Sequence, residues 1–271
     1  MTSGEDDALA RAAVAALTGQ LALTPKPGLP DPRDLAARST RREHDSLRWS
    51  ARALAPGLAA MAASARRTGE ATPVLRAELG AIGRCTEHSV GLAGGGHKGA
   101  LWALGFLVAA AALDPRAKAR EIAVNARKIA AFNDKGAPKR PSRGSTISAK
   151  YGAAGARGEA RAGFPHVRRA LEALATARKA GATENQARLD ASLTVMSTLQ
   201  DTELLYTAGP LGLRRVQAGA RTVLEAGGTA TAAGAEALAA MDADLNERGW
   251  SPRGSAGLLA GALFLDALPS L

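Results

Sequence analysis

The residues with most chemical potential lie in the run GGGHKGALWALG, residues 94–105. Gly94, Gly95 and Gly96 carry no Cβ, so the backbone there is free to take positive φ and to approach a ligand closely. His97 and Lys98 follow, and then an apolar stretch long enough for a buried helix. The start of such a helix presents unpaired backbone N–H groups and the positive end of its dipole. Lys98 adds a mobile cation. Glycines, helix start and lysine together suit a polyphosphate. The G-x-x-x-x-G-K-[ST] spacing of a Walker A loop is absent. A glycine-rich turn ahead of a core helix has the same signature.

Further polar groups fall into separate stretches. In YGAAGARGEARAGFPHV, residues 151–167, Arg157 and Glu159 sit two apart among glycines. They suit a packed, specific site, or an ion pair at a tight helix junction. In QDTELLY, Asp201 and Glu203 suit Mg²⁺ on a polyphosphate. Acids at a helix start are equally ordinary caps. The loop TPKPGLPDPRD, residues 24–34, holds four prolines and offers Lys26 and Asp31. Residues 133–150 carry Lys135, Lys139, Arg140, Arg143 and Lys150 in a polar stretch broken by Pro and Gly, which reads as a lid or a solvated loop. Near the C-terminus, Ser251, Arg253 and Ser255 lead into another apolar run.

The elements that must position these groups read as helices. Apolar residues recur at helical spacing over residues 5–23, 45–68 with a break near Pro56-Gly57, 73–92, up to 113, up to 132, 167–180, 185–199, 211–226 and 231–246. No strand-like alternation persists, and aromatic residues are only 3%, which leaves little to build a sheet from. Alanine, leucine, arginine and glutamate favour helix. The expectation is one all-α domain over residues 1–271, a compact multi-helix bundle in which Gly-rich loops open buried helices.

The formal net charge of +10 favours anionic partners. The arginines are scattered and aromatics for base stacking are few, so a nucleotide fits better than nucleic acid. Cys85 is alone, which excludes an intramolecular disulfide or a cysteine metal cluster. The four histidines are far apart in sequence. The acidic N-terminus lacks the basic region of a signal peptide, and residues 99–113 are too few to span a bilayer comfortably. A cytoplasmic protein without a membrane partner is expected; self-association is left open.

Taken together, TPKPGLPD, GGGHKGALWALG, YGAAGARGEARAGFP, DTELLY and SPRGSAGLLA occur in an order that resembles the triphosphoribosyl-dephospho-CoA synthases, over about residues 20–268. The branch serving malonate decarboxylase is the nearer one; the citrate lyase branch is its relative. The resemblance implies an all-helical transferase that joins ATP to 3′-dephospho-CoA, releases adenine and gives 2′-(5″-triphosphoribosyl)-3′-dephospho-CoA. Such glycosyl transfer passes through an oxocarbenium-like state. The resemblance implies phosphate or substrate binding by Lys26, Asp31, Gly95, Gly96, His97, Lys98, Arg157, Ser251 and Ser255. It implies Glu159 and Asp201 as catalytic carboxylates; Glu203 stands where the family commonly has Asn or Cys.

Several motif positions depart from the family pattern. Gly95 and Gly96 stand where Asn and Thr are usual, Arg143 where His is usual, and Arg253 and Gly257 where Gly and Asp are usual. Two other readings follow from these losses. One is a homologue without turnover that binds a nucleotide or a partner protein. The other is a hydrolase in which water replaces the second ribose.

Overall fold

The computed structural model describes residues 2–268, and among them every regular element is helical. The helices are α1 (Gly4–Leu21), α2 (Arg38–Ala53), α3 (Ala55–Thr68), α4 (Pro73–Leu92), α5 (Lys98–Leu113), α6 (Ala119–Ala131), α7 (Arg143–Tyr151), α8 (Gly155–Arg161), α9 (Pro165–Lys179), α10 (Glu184–Met196), α11 (Thr202–Thr207), α12 (Gly209–Glu225), α13 (Ala232–Arg248) and α14 (Arg253–Ala267). A short 3₁₀ turn, Pro32–Asp34, interrupts the proline loop. The all-α expectation is met.

Two helices are apolar on every side, and they form the centre. Residues 103–112 of α5 and 258–265 of α14 are buried throughout. A helix without a polar face has nowhere to go but the interior. α5 and α14 pack on each other, and α1, α3, α4, α6 and α9 pack around them. Small residues let the backbones approach. A Cβ at Gly257 of α14 would lie 3.2 Å from the Ala100 Cα of α5, and one at Gly105 would lie 2.6 Å from Met61 Sδ of α3. Helices with one charged face, such as α2, α6 and α12, form the outside.

Three boundaries differ from the sequence expectation. The helix expected over residues 45–68 is two helices, and the first begins at Arg38. They part at Leu54, because Pro56 is compatible only with the first turn of α3. The loop expected over residues 133–150 becomes helical at Arg143, where the Ser142 hydroxyl caps the Ser145 N–H. The glycine stretch after it contains the short helix α8. Propensity averages miss such short helices, which depend on caps and neighbours. No helix among the described residues is long and apolar enough to cross a membrane.

Candidate functional site

The loop before α5 has the backbone that its sequence suggests. Gly94, Gly95 and Gly96 take φ of 104°, 73° and 109°, three left-handed residues in succession. Such a run is open to glycine and strained for other residues. It turns the chain tightly beside α2: a Cβ at Gly94 would meet the Ser46 hydroxyl at 2.1 Å, and one at Gly96 would meet Leu47 Cδ2 at 2.7 Å. His97 is buried, and its Nε2–H donates to the Leu47 carbonyl at 2.8 Å. Burial lowers the imidazole pKa from its ordinary value, against the opposing pull of that bond. The neutral ring therefore pins the loop to α2 and brings no charge. No side chain caps α5. Lys98, in its first turn, is exposed, and a helix start without a cap keeps N–H groups and the positive dipole end available.

The start of α14 lies against the start of α5, through the Gly257–Ala100 contact. Unlike α5, it is already satisfied. Asp201, the N-cap of α11, accepts from the Glu203 N–H at 2.8 Å and the Leu204 N–H at 3.4 Å with one oxygen, and from the Gly254 N–H at 2.8 Å with the other. Burial raises the Asp201 pKa against the lowering effect of these three bonds. Ser255 is fully buried and donates to the Pro252 carbonyl at 2.7 Å. Ser251 donates to the Gly28 carbonyl of the proline loop. The two serines thus hold the turn before α14 together.

Glu159 on α8 has an analogous position. One oxygen accepts from the His166 backbone N–H at 2.9 Å in the first turn of α9, and the other pairs with His166 Nδ1 at 2.7 Å. Arg157, on the same short helix, is exposed and donates to Asn133 Oδ1 at 2.8 Å. It makes no ion pair with Glu159. The two lie near the other motifs, because a Cβ at Gly155 would stand 3.9 Å from the Thr202 methyl in the first turn of α11.

Asp31 organises the proline loop. It accepts from the Thr24 hydroxyl, the Lys26 N–H and the Arg33 N–H at 2.7–2.8 Å, and its carboxylate is 3.0 Å from Arg33 Nη2. Burial alone would raise its pKa, but these bonds bring it below the ordinary carboxylate value. Lys26 points inward: its Nζ donates to the Leu21 carbonyl at 3.0 Å, and burial lowers its pKa to about 8. Between this loop, α2, α13 and the start of α14 lies a polar cavity of about 210 Å³, lined among others by Asp31, Glu43, Ser251 and Arg253. Arg253 closes one side through Glu43 at 2.9 Å. The cavity is smaller than most small-molecule sites.

The structure therefore brings the ends of the five sequence motifs together at the starts of α5, α8, α11 and α14. It does not turn all of the expected ligands to one cavity. Lys98 and the glycine backbone are open to a ligand, whereas Lys26, Glu159, Asp201 and Ser255 face inward and hold neighbouring segments. Asp201 and Glu203 do not fit a protein-held metal: the oxygens of Asp201 face N–H donors, and Glu203 pairs with Arg143 at 2.7 Å. Among the described residues, no three His, Cys, Asp or Glu side chains cluster as metal ligands. Sequence reasoning passes over His166, the partner of Glu159, and over Arg76, Arg84 and Arg161. The i, i+4 spacing of Arg157 with Arg161 was a readable signal for one shared helix face.

The chain matches the family described as ATP:dephospho-CoA triphosphoribosyl transferase over residues 6–271. Among curated proteins, it is 46% identical over 265 residues to a probable 2-(5''-triphosphoribosyl)-3'-dephosphocoenzyme-A synthase of Stutzerimonas stutzeri, covering 96% of this chain and 91% of the relative. Proteins with the same description from Pseudomonas putida and Azotobacter vinelandii are 44% and 46% identical, covering 98% and 94% of this chain and 96% and 89% of those relatives. No solved structure matches the chain.

Proposed function

Because the chain belongs to the ATP:dephospho-CoA triphosphoribosyl transferase family, we propose that it joins ATP to 3′-dephospho-CoA to give 2′-(5″-triphosphoribosyl)-3′-dephospho-CoA and adenine. The bond from the ATP ribose C1′ to adenine breaks, and adenine leaves with the bonding pair. The 2′-hydroxyl of dephospho-CoA forms the new bond to C1′ and gives up its proton. The triphosphate stays on the transferred ribose throughout.

One observation carries this reading: an uncapped, sixteen-residue helix, α5, opens from three left-handed glycines beside a free lysine. The N–H groups and positive dipole end of an uncapped helix, with Lys98 in its first turn, suit a phosphate of either substrate. The chain's part in the reaction is to hold two nucleotides in line. Glu159 and Asp201 serve this by fixing the starts of α9 and α14 rather than by lying free for proton transfer. Mg²⁺ would be held by the phosphates of ATP rather than by this chain's carboxylates, and would supply charge neutralisation there. The product serves as the prosthetic-group precursor for the acyl-carrier subunit of malonate decarboxylase, a role supported by the order and wording of the five motifs, and the enzyme works in the cytoplasm.

Chromatography of adenine tests the reaction. The protein is incubated with ATP and Mg²⁺, with and without dephospho-CoA. Adenine that forms only when dephospho-CoA is present, with a product heavier by one triphosphoribosyl group, is the expected result. Adenine without dephospho-CoA would make the protein a hydrolase. No adenine under either condition would leave a nucleotide-binding homologue without turnover.

A further inference from the structure

A second cationic feature lies along the flank of α5. Arg76 and Arg84 stand on one face of α4, and Arg157 and Arg161 on one face of α8. Arg84 Nη1 donates to Asp134 Oδ2 at 2.6 Å, while Arg76 Nη1 lies 3.5 Å from the same oxygen. Arg157 and Arg161 both donate to one acceptor, Asn133 Oδ1, each at 2.8 Å. Arg161 also reaches the Ala130 and Ala131 carbonyls. The Arg76 guanidinium is stacked 5.2 Å from the Phe106 ring centre and 6.0 Å from that of Trp102, and its buried Nε and Nη1 have no hydrogen-bond partner among the described residues.

Four guanidinium groups thus gather around one carboxylate and one amide oxygen. Each carries five N–H donors and no acceptor, so the cluster holds more donors than the protein satisfies. Burial lowers the Arg76 pKa from its ordinary value, and Arg84, Arg157 and Arg161 push it the same way against the pull of Asp134. Gly80 and Gly136 make room for this gathering: a Cβ at Gly80 would lie 2.2 Å from Asp134 Oδ2, and one at Gly136 would lie 2.6 Å from Arg84 Nη2. Unpartnered buried donors beside surplus positive charge call for an anion with several oxygens. Phe106 is eight residues along α5 from Lys98, a rise of about 12 Å. The cluster is therefore within one nucleotide's reach of the glycine loop.

We propose that Arg76, Arg84, Arg157 and Arg161 form a polyphosphate subsite, which takes the triphosphate of ATP or the diphosphate of dephospho-CoA. Asn133 and Asp134 hold the four side chains in place between ligands. The identity of the nucleotide rests on the transferase reading; the capacity for a polyphosphate does not.

The test is calorimetric titration of the full chain with inorganic triphosphate, ATP and dephospho-CoA. Wild type is compared with Arg84→Gln, Arg161→Gln and, as a less buried site, Arg157→Gln. Arg215→Gln, whose side chain pairs with Asp244 on the outside of α12, serves as a surface-charge control. Each cluster variant should weaken triphosphate about tenfold while keeping the wild-type circular dichroism, and the control should not. Weakening of ATP alone assigns the triphosphate of ATP, and weakening of dephospho-CoA alone assigns its diphosphate. Unchanged affinity for all three ligands in folded cluster variants overturns the proposal, as does a wild type that fails to bind triphosphate. A wild type that binds triphosphate in this way but releases no adenine refutes the transferase reading and leaves the subsite standing.

Discussion

Asp201 Oδ2 accepts the Gly254 N–H at 2.8 Å, so a residue at the head of α11 caps α14, fifty-three positions away. Its other oxygen caps α11 itself. Asp201→Asn replaces one acceptor oxygen by an NH₂ group, so the N–H groups that faced that oxygen lose their acceptor. The loss should be about 3 kcal/mol, as expected for a buried charged acceptor with several donors. Urea unfolding followed by circular dichroism measures it, and an unshifted midpoint would refute the capping role.

Gly95 and Gly96 respond differently to the side chains usual in the family. Gly95 has φ of 73° and open space where a Cβ would go. Asn tolerates left-handed backbone better than most residues, so Gly95→Asn should change stability by less than about 1 kcal/mol. At Gly96 the φ is 109° and a Cβ would press on Leu47 at 2.7 Å. Gly96→Thr combines forbidden backbone with a β-branched clash and should cost about 2 kcal/mol or more. Melting temperatures of the two variants decide this: equal values would mean that the loop is not held in its left-handed form.

Lys26 makes stability depend on pH in an unusual direction. Its pKa in the folded chain is lowered to about 8 from 10.5 by burial. Between those values the unfolded chain keeps the proton and the folded chain loses it, so the contribution of Lys26 to stability rises with pH. Below pH 8 both states hold the proton, and the full cost of burying the charge, about 3 kcal/mol, is present. Lys26→Met removes this cost but leaves the Leu21 carbonyl without its donor. The stability of the variant minus that of wild type should therefore fall between about pH 8 and pH 10.5. A difference that stays flat over this window would show that Lys26 is not buried as a cation.

Lys98 is exposed at the first position of α5. Lys98→Ala should weaken ATP about five- to tenfold, a charge-assisted contact, while leaving the helical circular-dichroism signal intact. Calorimetric titration gives the affinity. An unchanged value would remove this lysine from the phosphate site and leave the backbone N–H groups as its only candidates.

Much of this protein was legible without coordinates. Apolar residues at helical spacing, few aromatics and alanine-rich segments dictated an all-α chain, because those features act locally along each helix. The sequence also determined that residues 94–98 would bend through left-handed glycine into a helix start, since three glycines before an apolar run leave few alternatives. The direction in which polar side chains point was decided only by the tertiary structure. In sequence Glu159 reads as a catalytic acid or an ion-pair partner, and Asp201 as a catalytic acid or a cap; both hold helix starts because His166 and Gly254, each at the start of another helix, bring N–H groups to them. Lys26 faces inward because the loop around Asp31 folds back on the end of α1. Arg76 and Arg84 share a site with Arg157 and Arg161 because α4 and α8 flank α5, an adjacency between segments about seventy residues apart. Local pattern sets which helices form, but long-range packing sets which charges meet.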